Sequence, residues 1–481
     1  SASAASCRMT ITMKGSTSPR LETRICISDS VGTLLTESAL RSITRLLTYL
    51  LALVLTFVPM AAQAKSLVRD PDIEHALTQL ATPVLRAAGL SPSRVGIYVI
   101  QDGAMNAFVL DPTAIYIHSG MILRLTKASE LQAVIAHEAA HIANGHLVRR
   151  AANAQSARNV MLLGAALSVA AGVAGASGVA GGVAVGVASS AQRVFFGHTR
   201  AEESAADQSS IRYLAAAGID TSGAVSVMEL FAGQDALPTR RQDIYARSHP
   251  LSRDRLRQIK ALAQSYGKAG KPDPQDGYWF DRAKGKLSAF IRNPKWTFQR
   301  AKESPAADVR AMREAVAYHR LSQTNKALAS LDQARRARPG DPYYDELRGQ
   351  ILLETRNFGA AANAYAAALN RAPRDPLIMA AYARALVAVG GTQNLQKAVP
   401  LLERATAQDW RNSQALRDLG TAYAKLGNRG MAALVTAEAH AMHGRTKEAR
   451  ILARRATDML PRGSAGWQRA QDVLNAVKDE K

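Results

Sequence analysis

Residues 129–143 read SELQAVIAHEAAHIA, and the five residues from His137 to His141 within this stretch decide the predicted fold and chemistry. Apolar residues recur through it at helical spacing. Residues four apart lie on one face of a helix, so both imidazoles can reach a single ion. Glu138 directly follows His137 and therefore lies about 100° further around the helix axis. From there it can face a water bound to the ion without being a ligand itself. Two neutral histidines suit zinc, so the stretch predicts a helix that carries part of a zinc site.

The limits of this helix follow from its neighbours. Ser129 with Gln132 fits a capping box, which places the helix start near Ser129. His146 lies nine positions after His137, which on a continuous helix is the opposite face. We therefore interpret His146 as a supporting residue and not as a ligand.

A catalytic zinc needs a third protein ligand and one open position. The best candidate is Glu203, on a predicted helix that carries Asp207 four residues later on the same face. A ligating His commonly donates its other N–H to a carboxylate, a role that suits Asp207. Glu202 points about 100° away and is the weaker candidate. From spacing alone, a solvated acidic helix start explains this cluster equally well.

The residues before the central helix predict a small antiparallel sheet. Short β-branched and aromatic runs at 95–100, 107–110 and 114–117 are separated by Asp-Gly and Asp-Pro turns. Residues 68–90 and 200–217 have helical periodicity. Residues 159–192 are uncharged and built mainly of Ala, Gly, Val and Ser. That insert is compatible with a lid over the site, with Ala-rich helices or with a membrane-touching hairpin.

The first 64 residues differ from the rest of the chain. Residues 1–40 lack periodicity and are interpreted as a non-native N-terminal extension or one that comes from a gene start placed too early. Residues 41–64 have a positive start, an apolar run and an Ala-Gln-Ala site, which together predict a secretory signal peptide. Both cysteines, Cys7 and Cys26, precede Lys65, so residues 65–481 are predicted to contain neither a disulfide nor a thiolate metal site.

The formal net charge of +22 indicates acidic partners or a generally solvated basic surface. Nucleic acid is not expected as a partner, because the Lys and Arg residues are spread along the chain without interleaved aromatics. Peripheral contact with a membrane stays open.

The C-terminal part repeats with a period of 34 residues. Pro339 and Pro373 are one period apart, as are Pro342 and Pro376, and small residues recur at matching offsets. This pattern resembles the tetratricopeptide repeat, in which small residues let paired helices pack closely. We predict an α-helical solenoid over 308–481 that binds peptides or partner proteins. The Pro-, Gly- and Lys-rich stretch 267–307 is interpreted as a linker.

The whole chain resembles the HtpX-like and CAAX-prenyl-protease-like gluzincin metallopeptidases. Within them it is most similar to the periplasmic β-barrel assembly-enhancing protease group, which also carries C-terminal tetratricopeptide repeats. The matching stretches start at about residue 68 and end with the chain. They are Asn106-Ala-Phe108, His137-Glu-Ala-Ala-His141 with His146, Glu203-Ser-Ala-Ala-Asp207, and Ser248-His-Pro250 with Arg255.

The resemblance implies roles for these residues. His137, His141 and Glu203 would bind one zinc ion per chain, with Glu138 as general base. Asp207 and Arg255 would support the ligands, and Arg255 or His249 would stabilise the oxyanion. His249 would also act as a switch that displaces the catalytic water. A substrate strand would pair with the edge strand that contains Asn106, Ala107 and Phe108.

The implied fold is mostly α. An α+β zincin-type metalloprotease domain at 65–266 has a small antiparallel sheet, and a tetratricopeptide solenoid follows the linker. The implied function is periplasmic, zinc-dependent proteolysis in quality control of outer-membrane β-barrel proteins. Its substrates would be unfolded or stalled outer-membrane proteins, and the repeats would bind the β-barrel assembly machinery. The alternatives are an adaptor or chaperone with little proteolytic activity and a membrane-associated HtpX-like protease.

Overall fold

The computed structural model describes residues 66–149, 200–238, 241–250, 252–266 and 273–477. The predicted extension at 1–40, the signal peptide at 41–64 and the insert at 159–192 lie outside these residues. No helix in the described ranges is both long enough and apolar enough to span a membrane.

The first part of the described chain combines a small sheet with helices. Its strands are β1 (Leu67–Val68), β2 (Gly96–Ile100), β3 (Ala107–Asp111) and β4 (Ala114–His118). Its helices are α1 (Pro71–Ala87), α2 (Ser119–Arg124), α3 (Ala128–Ala143), α4 (200–216), α5 (Ser222–Leu230), α6 (Ile244–Ser248), α7 (Arg253–Ser265), α8 (Pro274–Ile291) and α9 (Pro294–Ala301).

The sheet is mixed, so the prediction of an antiparallel sheet was wrong in this respect. The strand order is β1-β2-β4-β3, with β2 and β4 parallel and the other two pairs antiparallel. The turn Pro112-Thr113 sends β4 back along β3, and β4 then pairs with β2 on its other side. Runs of strand-forming residues and the turns between them show where strands lie in the sequence, but they do not determine which strands become neighbours in the sheet. The order makes β3 the outermost strand on its side of the described sheet.

Helix α3 forms the centre of this part. Every residue from Glu130 to His141 is buried, as expected for a helix packed on all sides. The start is tightly enclosed, because a Cβ on Gly223 of α5 would lie 2.4 Å from the carbonyl oxygen of Ser129. The first turn of α3, which precedes His137, is therefore held in place by α5.

The capping box predicted at Ser129 and Gln132 was wrong. The helix starts at Ala128, and the Glu130 carboxylate accepts from the backbone N–H groups of Thr126 and Lys127 at 2.6 and 3.1 Å. The Gln132 amide instead donates to Leu80 O and to Asp276, linking α3 to α1 and α8. The acidic residue is the stronger cap here because it satisfies two otherwise unpaired donors.

The C-terminal part is a row of helices, which confirms the predicted tetratricopeptide-type solenoid. The helices are α10 (Ala307–Arg320), α11 (Thr324–Ala337), α12 (Pro342–Glu354), α13 (Phe358–Arg371), α14 (Pro376–Val389), α15 (Thr392–Gln408), α16 (Ser413–Lys425), α17 (Arg429–Met442), α18 (Thr446–Met459) and α19 (Ala465–Ala476).

The small residues of the repeat bring the paired helices close together. A Cβ on Gly349 of α12 would lie 2.8 Å from the ring of Tyr365 on α13, so only glycine permits this approach. Ala327 and Ala361 are fully buried at matching repeat positions. Asp341 and Asp375 accept from the first backbone N–H groups of α12 and α14, and a proline follows each of them. These Asp-Pro pairs therefore start the helices.

The stretch interpreted as a linker, 267–307, contains the two helices α8 and α9. Asp273 and Asn293 cap α8 and α9, and Pro274 and Pro294 occupy the first helical positions. Helix α8 packs into two hydrophobic cores. Phe280 and Leu287 belong to the core of the first part of the chain, and Ala289 belongs to a core formed with the first repeats. It is thus a shared structural element between the two parts of the chain.

Two cations on α8 are fully buried among carboxylates from both parts. The Arg282 guanidinium donates to Asp72 of α1 at 2.5 Å and to Asp341 before α12 at 2.7 and 2.9 Å. Lys286 Nζ lies 2.9 Å from Asp70 and 3.6 Å from Glu346 of α12. Buried charges of this kind are tolerated only when they are paired. The α8 cations therefore fix the repeats against α1.

A second contact joins the sheet to the repeats further along the solenoid. Arg69 donates to Asp409 at 2.5 Å, and Arg411 donates to Thr113 at 2.9 Å and contacts Asp111 at 3.2 Å. Both guanidinium groups lie 5.3 Å from the centre of the Tyr98 ring. The turn after α15 is thereby held against the β3–β4 turn.

Candidate metal centre

The two histidines of α3 face one point. His137 and His141 are both buried, and their Nε2 atoms are 3.1 Å apart. This proximity follows from their spacing of one helical turn on a single face. Two nitrogen lone pairs so close together repel unless a proton or a cation lies between them.

Helix α4 adds a carboxylate at the same point. The Glu203 Oε2 atom lies 3.3 Å from His137 Nε2, and Oε1 lies 3.4 Å from His141 Nε2. Glu203 is completely buried. The weaker candidate, Glu202, is buried as well but is not part of the donor group. The structure thus brings Glu203 to the two histidines.

His249 contributes a further donor. Its Nδ1 atom lies 3.2 Å from His137 Nε2 and 2.9 Å from Glu203 Oε2. Together, His137, His141, Glu203 and His249 offer ligand atoms that all lie within 4.8 Å of one another. Three nitrogens and a carboxylate are a donor set that zinc accepts in four-coordinate sites. The residues present therefore fit a metal ion of this kind.

Two further groups contact the ring nitrogens that face away from this point. Asp207 Oδ1 lies 3.1 Å from His137 Nδ1, so a proton on Nδ1 leaves the Nε2 lone pair directed at the donor group. His146 Nδ1 lies 2.9 Å from His141 Nδ1. The chain turns at Gly145, with a φ of 67°, so His146 reaches the back of His141. His146 lies outside the donor group.

The carboxylates determine the charge of the group. Burial alone would lower the pKa of His137, but Asp207 and Glu203 raise it to about 10. Burial would raise the pKa of Glu203, but His249 and His137 hold it well below its ordinary value. The same carboxylates that stabilise an extra proton on His137 would stabilise a bound cation.

Arg255 ties the supporting residues to the loop after α6. It donates to Asp207 at 2.7 and 2.8 Å through Nε and Nη2, and to the carbonyl of Pro250 at 2.7 Å through Nη1. The bidentate pair fixes Asp207, and the third bond fixes the residue that follows His249. With its donors engaged in this way, Arg255 holds Asp207 and the loop after α6 in place.

Glu138 is adjacent to the donor group without being part of it. It is 1% exposed, and its Oε1 atom lies 3.4 Å from His249 Nε2. This position is expected for Glu138, because it directly follows His137 and so lies about 100° further around the axis of α3.

The residues predicted to bind substrate lie beside the same point. Ala107 and Phe108 begin β3, the outer strand, and the Ala107 carbonyl oxygen lies 3.4 Å from His249 Nε2. Asn106 is buried and accepts from Ser248 at 3.4 Å through its side chain. Phe108 stacks on Tyr116 with ring centres 5.5 Å apart. The edge strand and the loop of His249 therefore adjoin each other.

Sequence reasoning missed Tyr245. This tyrosine is buried on α6, and its ring centre lies 4.6 Å from that of His249. Its backbone N–H donates to Met105 O at 3.2 Å, which attaches α6 to the start of the edge strand. A spacing of four residues between an aromatic ring and His249 on a short helix was the available signal.

Comparison with known proteins gives two family matches within the chain. Residues 68–263 match the model described as Peptidase family M48, and residues 312–376 match the model described as Tetratricopeptide repeat. The first match starts at the last residue of β1, includes the donor group and ends within α7. The second covers α11, α12 and α13, most of α10 and the first residue of α14.

Two curated relatives carry related names. The beta-barrel assembly-enhancing protease of Escherichia coli (strain K12) is 24% identical over 406 residues, which is 83% of this chain and 81% of that protein. The putative beta-barrel assembly-enhancing protease of Vibrio cholerae is 24% identical over 210 residues, 44% of this chain and 43% of that protein. Among solved structures, yeast Tom70 matches with 16% identity and a TM-score of 0.31, covering 74% of this chain and 81% of that chain.

Proposed function

We propose that this chain, which matches peptidase family M48 over residues 68–263 and the tetratricopeptide repeat over residues 312–376, is a zinc-dependent endopeptidase of protein quality control in the periplasm. The observation that carries the proposal is the buried group of His137, His141, Glu203 and His249 with Glu138 beside it. Zinc, when bound there, would polarise the scissile carbonyl and acidify a water molecule.

The residues of the chain account for the remaining chemistry. The outer strand β3 aligns an extended substrate by main-chain pairing, which selects for backbone shape more than for sequence. Glu138 takes a proton from the attacking water and passes it to the leaving amine. His249, once its ring leaves the donor group, is placed to stabilise the oxyanion with Nε2, since that nitrogen already faces the edge strand.

His249 also provides a restraint on activity. Its Nδ1 atom takes the fourth donor position, the position that a catalytic zinc site keeps open for water. Pro250 and its bond to Arg255 anchor the loop on one side. The enzyme is therefore silent in this arrangement and active when the imidazole moves away.

The ligand assignment predicts different outcomes for two alanine variants. Glu203→Ala should fall well below one zinc per chain after dialysis, because a directly bound carboxylate is lost. The matched variant His249→Ala should keep its zinc and show altered, less restrained cleavage of casein and of itself, because release of the blocked position outweighs the loss of one hydrogen bond to the oxyanion. Metal analysis by mass spectrometry and gel assays measure both.

A full zinc complement in Glu203→Ala would move the ligand role to Glu202 or Asp207. Wild-type activity together with wild-type zinc affinity in His249→Ala would leave that imidazole with a local packing role only.

The cellular role is proposed from the similarity to β-barrel assembly-enhancing proteases. Its substrates are unfolded or stalled outer-membrane proteins, and the repeats bind the β-barrel assembly machinery. Crosslinking of a Glu138→Gln variant in cells, followed by identification of captured proteins, tests this role. Recovery of outer-membrane proteins and assembly factors supports it, and recovery of an unrelated set of proteins contradicts it.

A further inference from the structure

We propose that the groove formed by α16, α17 and α18 binds an acidic, partly apolar peptide segment of a partner protein. The inference rests on the proposed role of the repeats in partner binding and adds the place and the chemistry of that contact. The groove shares no residue with the donor group, since its lining residues all lie between Arg417 and Met459.

The floor of the groove is low because its residues are small. Ala432 and Thr436 of α17 line it together with Gly420 of α16. A Cβ on Gly420 would lie 3.1 Å from Thr436 Oγ1, so α16 and α17 approach closely. The cavity measures about 750 Å³, which is enough for several side chains of a bound segment.

One wall of the groove is apolar and open to solvent. Leu452 and Met459 of α18 line it, and Met459 is 50% exposed. Exposed large apolar side chains beside a floor of small residues are typical of a surface that buries part of a partner. The occupant therefore needs apolar side chains on one face.

The rim of the groove is basic. Three arginines line it: Arg417, Arg429 and Arg455. No acidic residue lines the groove, and the structure describes every residue from 417 to 459. Of the four carboxylates on these helices, none lines the groove, and two are paired with other arginines: Asp418 with Arg384 and Glu438 with Arg469, each at 2.7 Å. The rim arginines thus offer charge to a ligand, and electrostatic complementarity selects carboxylates.

The lining favours a peptide over a nucleic acid. Single-stranded nucleic acids bind through bases stacked on aromatic side chains, and none of the groove's lining residues is aromatic. A peptide that places Leu or Val on the floor and Asp or Glu against the arginines matches both the apolar wall and the basic rim.

Binding of defined probes tests the proposal. The probes are a fluorescein-labelled 14-residue peptide of alternating Leu and Glu pairs, its counterpart with Gln for Glu, and a labelled oligothymidine of equal charge. Fluorescence anisotropy is measured with full-length protein carrying Glu138→Gln, so that no peptide is cleaved. The acidic peptide should bind, weaken as salt rises, and bind more tightly than the Gln peptide and the oligothymidine.

A charge-matched pair of variants localises the contact. Arg417→Glu, Arg429→Glu and Arg455→Glu combined should weaken acidic-peptide binding by at least about tenfold. The control combines Arg336→Glu, Arg374→Glu and Arg404→Glu, which are exposed arginines on earlier repeats, and should leave binding near wild type. Equal losses in both triple variants, tighter binding of the oligothymidine or absence of acidic-peptide binding would overturn the proposal.

Casein cleavage separates this inference from the proposed function. Both triple variants, made without Glu138→Gln, should cleave casein at the wild-type rate, since the groove is not part of the donor group. Inactive wild-type enzyme with intact peptide binding contradicts the proteolytic function alone. Active enzyme without peptide binding contradicts the groove alone.

Discussion

Glu138→Gln should lower cleavage of casein or a fluorogenic peptide by about 10²–10⁴-fold, the usual contribution of a general base. Glutamine has the shape of glutamate but cannot accept the proton of the attacking water. Glu138 is buried and lies outside the donor group, so the variant should keep the zinc content and the melting temperature of the wild type. Initial rates, metal analysis and thermal unfolding measure the three quantities.

Glu202→Gln is the matched control for this prediction. Glu202 is a buried glutamate next to the proposed ligand Glu203, yet it does not belong to the donor group. Its variant should retain activity within a few-fold of wild type. Normal turnover by Glu138→Gln, with zinc retained, would remove Glu138 from the mechanism.

Arg282→Met should lower the free energy of unfolding by about 3–5 kcal/mol, the usual cost of breaking a buried ion pair from one side. Arg282 is fully buried between Asp72 and Asp341, and its removal leaves two carboxylates with too little compensating charge. Burial would raise the pKa of Asp72, but Arg282 and Lys286 keep it low. The stability from this carboxylate is therefore present above its unfolded pKa of ~3.9 and is lost as pH falls.

Urea denaturation of the full chain at neutral pH measures this effect. Arg257→Met serves as the control, because Arg257 is 78% exposed and its ion pair is with Asp254, a similarly accessible residue one turn away on α7. That variant should change stability by no more than ~0.5 kcal/mol. A loss below about 1 kcal/mol in Arg282→Met would show that the buried network contributes little to joining the two parts.

The sequence predicted the donor helices well because helical spacing is a local property. His137 and His141 are one turn apart, and Glu203 and Asp207 repeat that spacing on α4, so each pair was placed on one face before any fold was known. The convergence of α3 with α4, and the arrival of His249 from a separate loop, depend on tertiary packing. From the residues alone, a ligand on α4 was one of two equal alternatives, and the role of His249 was expected only from the family resemblance.

The errors arose where local signals have two meanings. The Pro-, Gly- and Lys-rich composition of 267–307 was interpreted as a linker, yet Asp273-Pro274 and Asn293-Pro294 start helices there, as Asp341-Pro342 and Asp375-Pro376 do in the repeats. Strand order could not be predicted either, because runs and turns define strands and not their neighbours. Arg69 and Asp409 form an ion pair although 340 residues separate them. Such a pair cannot be predicted from the residues around either partner.

The bond between Arg411 and the β3–β4 turn has a consequence for the order of synthesis. Asp111 and Arg411 are 300 residues apart, and chains grow at about 5–20 residues per second. The turn at the end of the outer strand therefore spends about 15–60 s of translation without its partner. A chain that ends before Arg411 should therefore leave the turn at the end of β3 without this anchor, while the hydrogen-bonding edge of β3 itself stays as open as it is in the full chain.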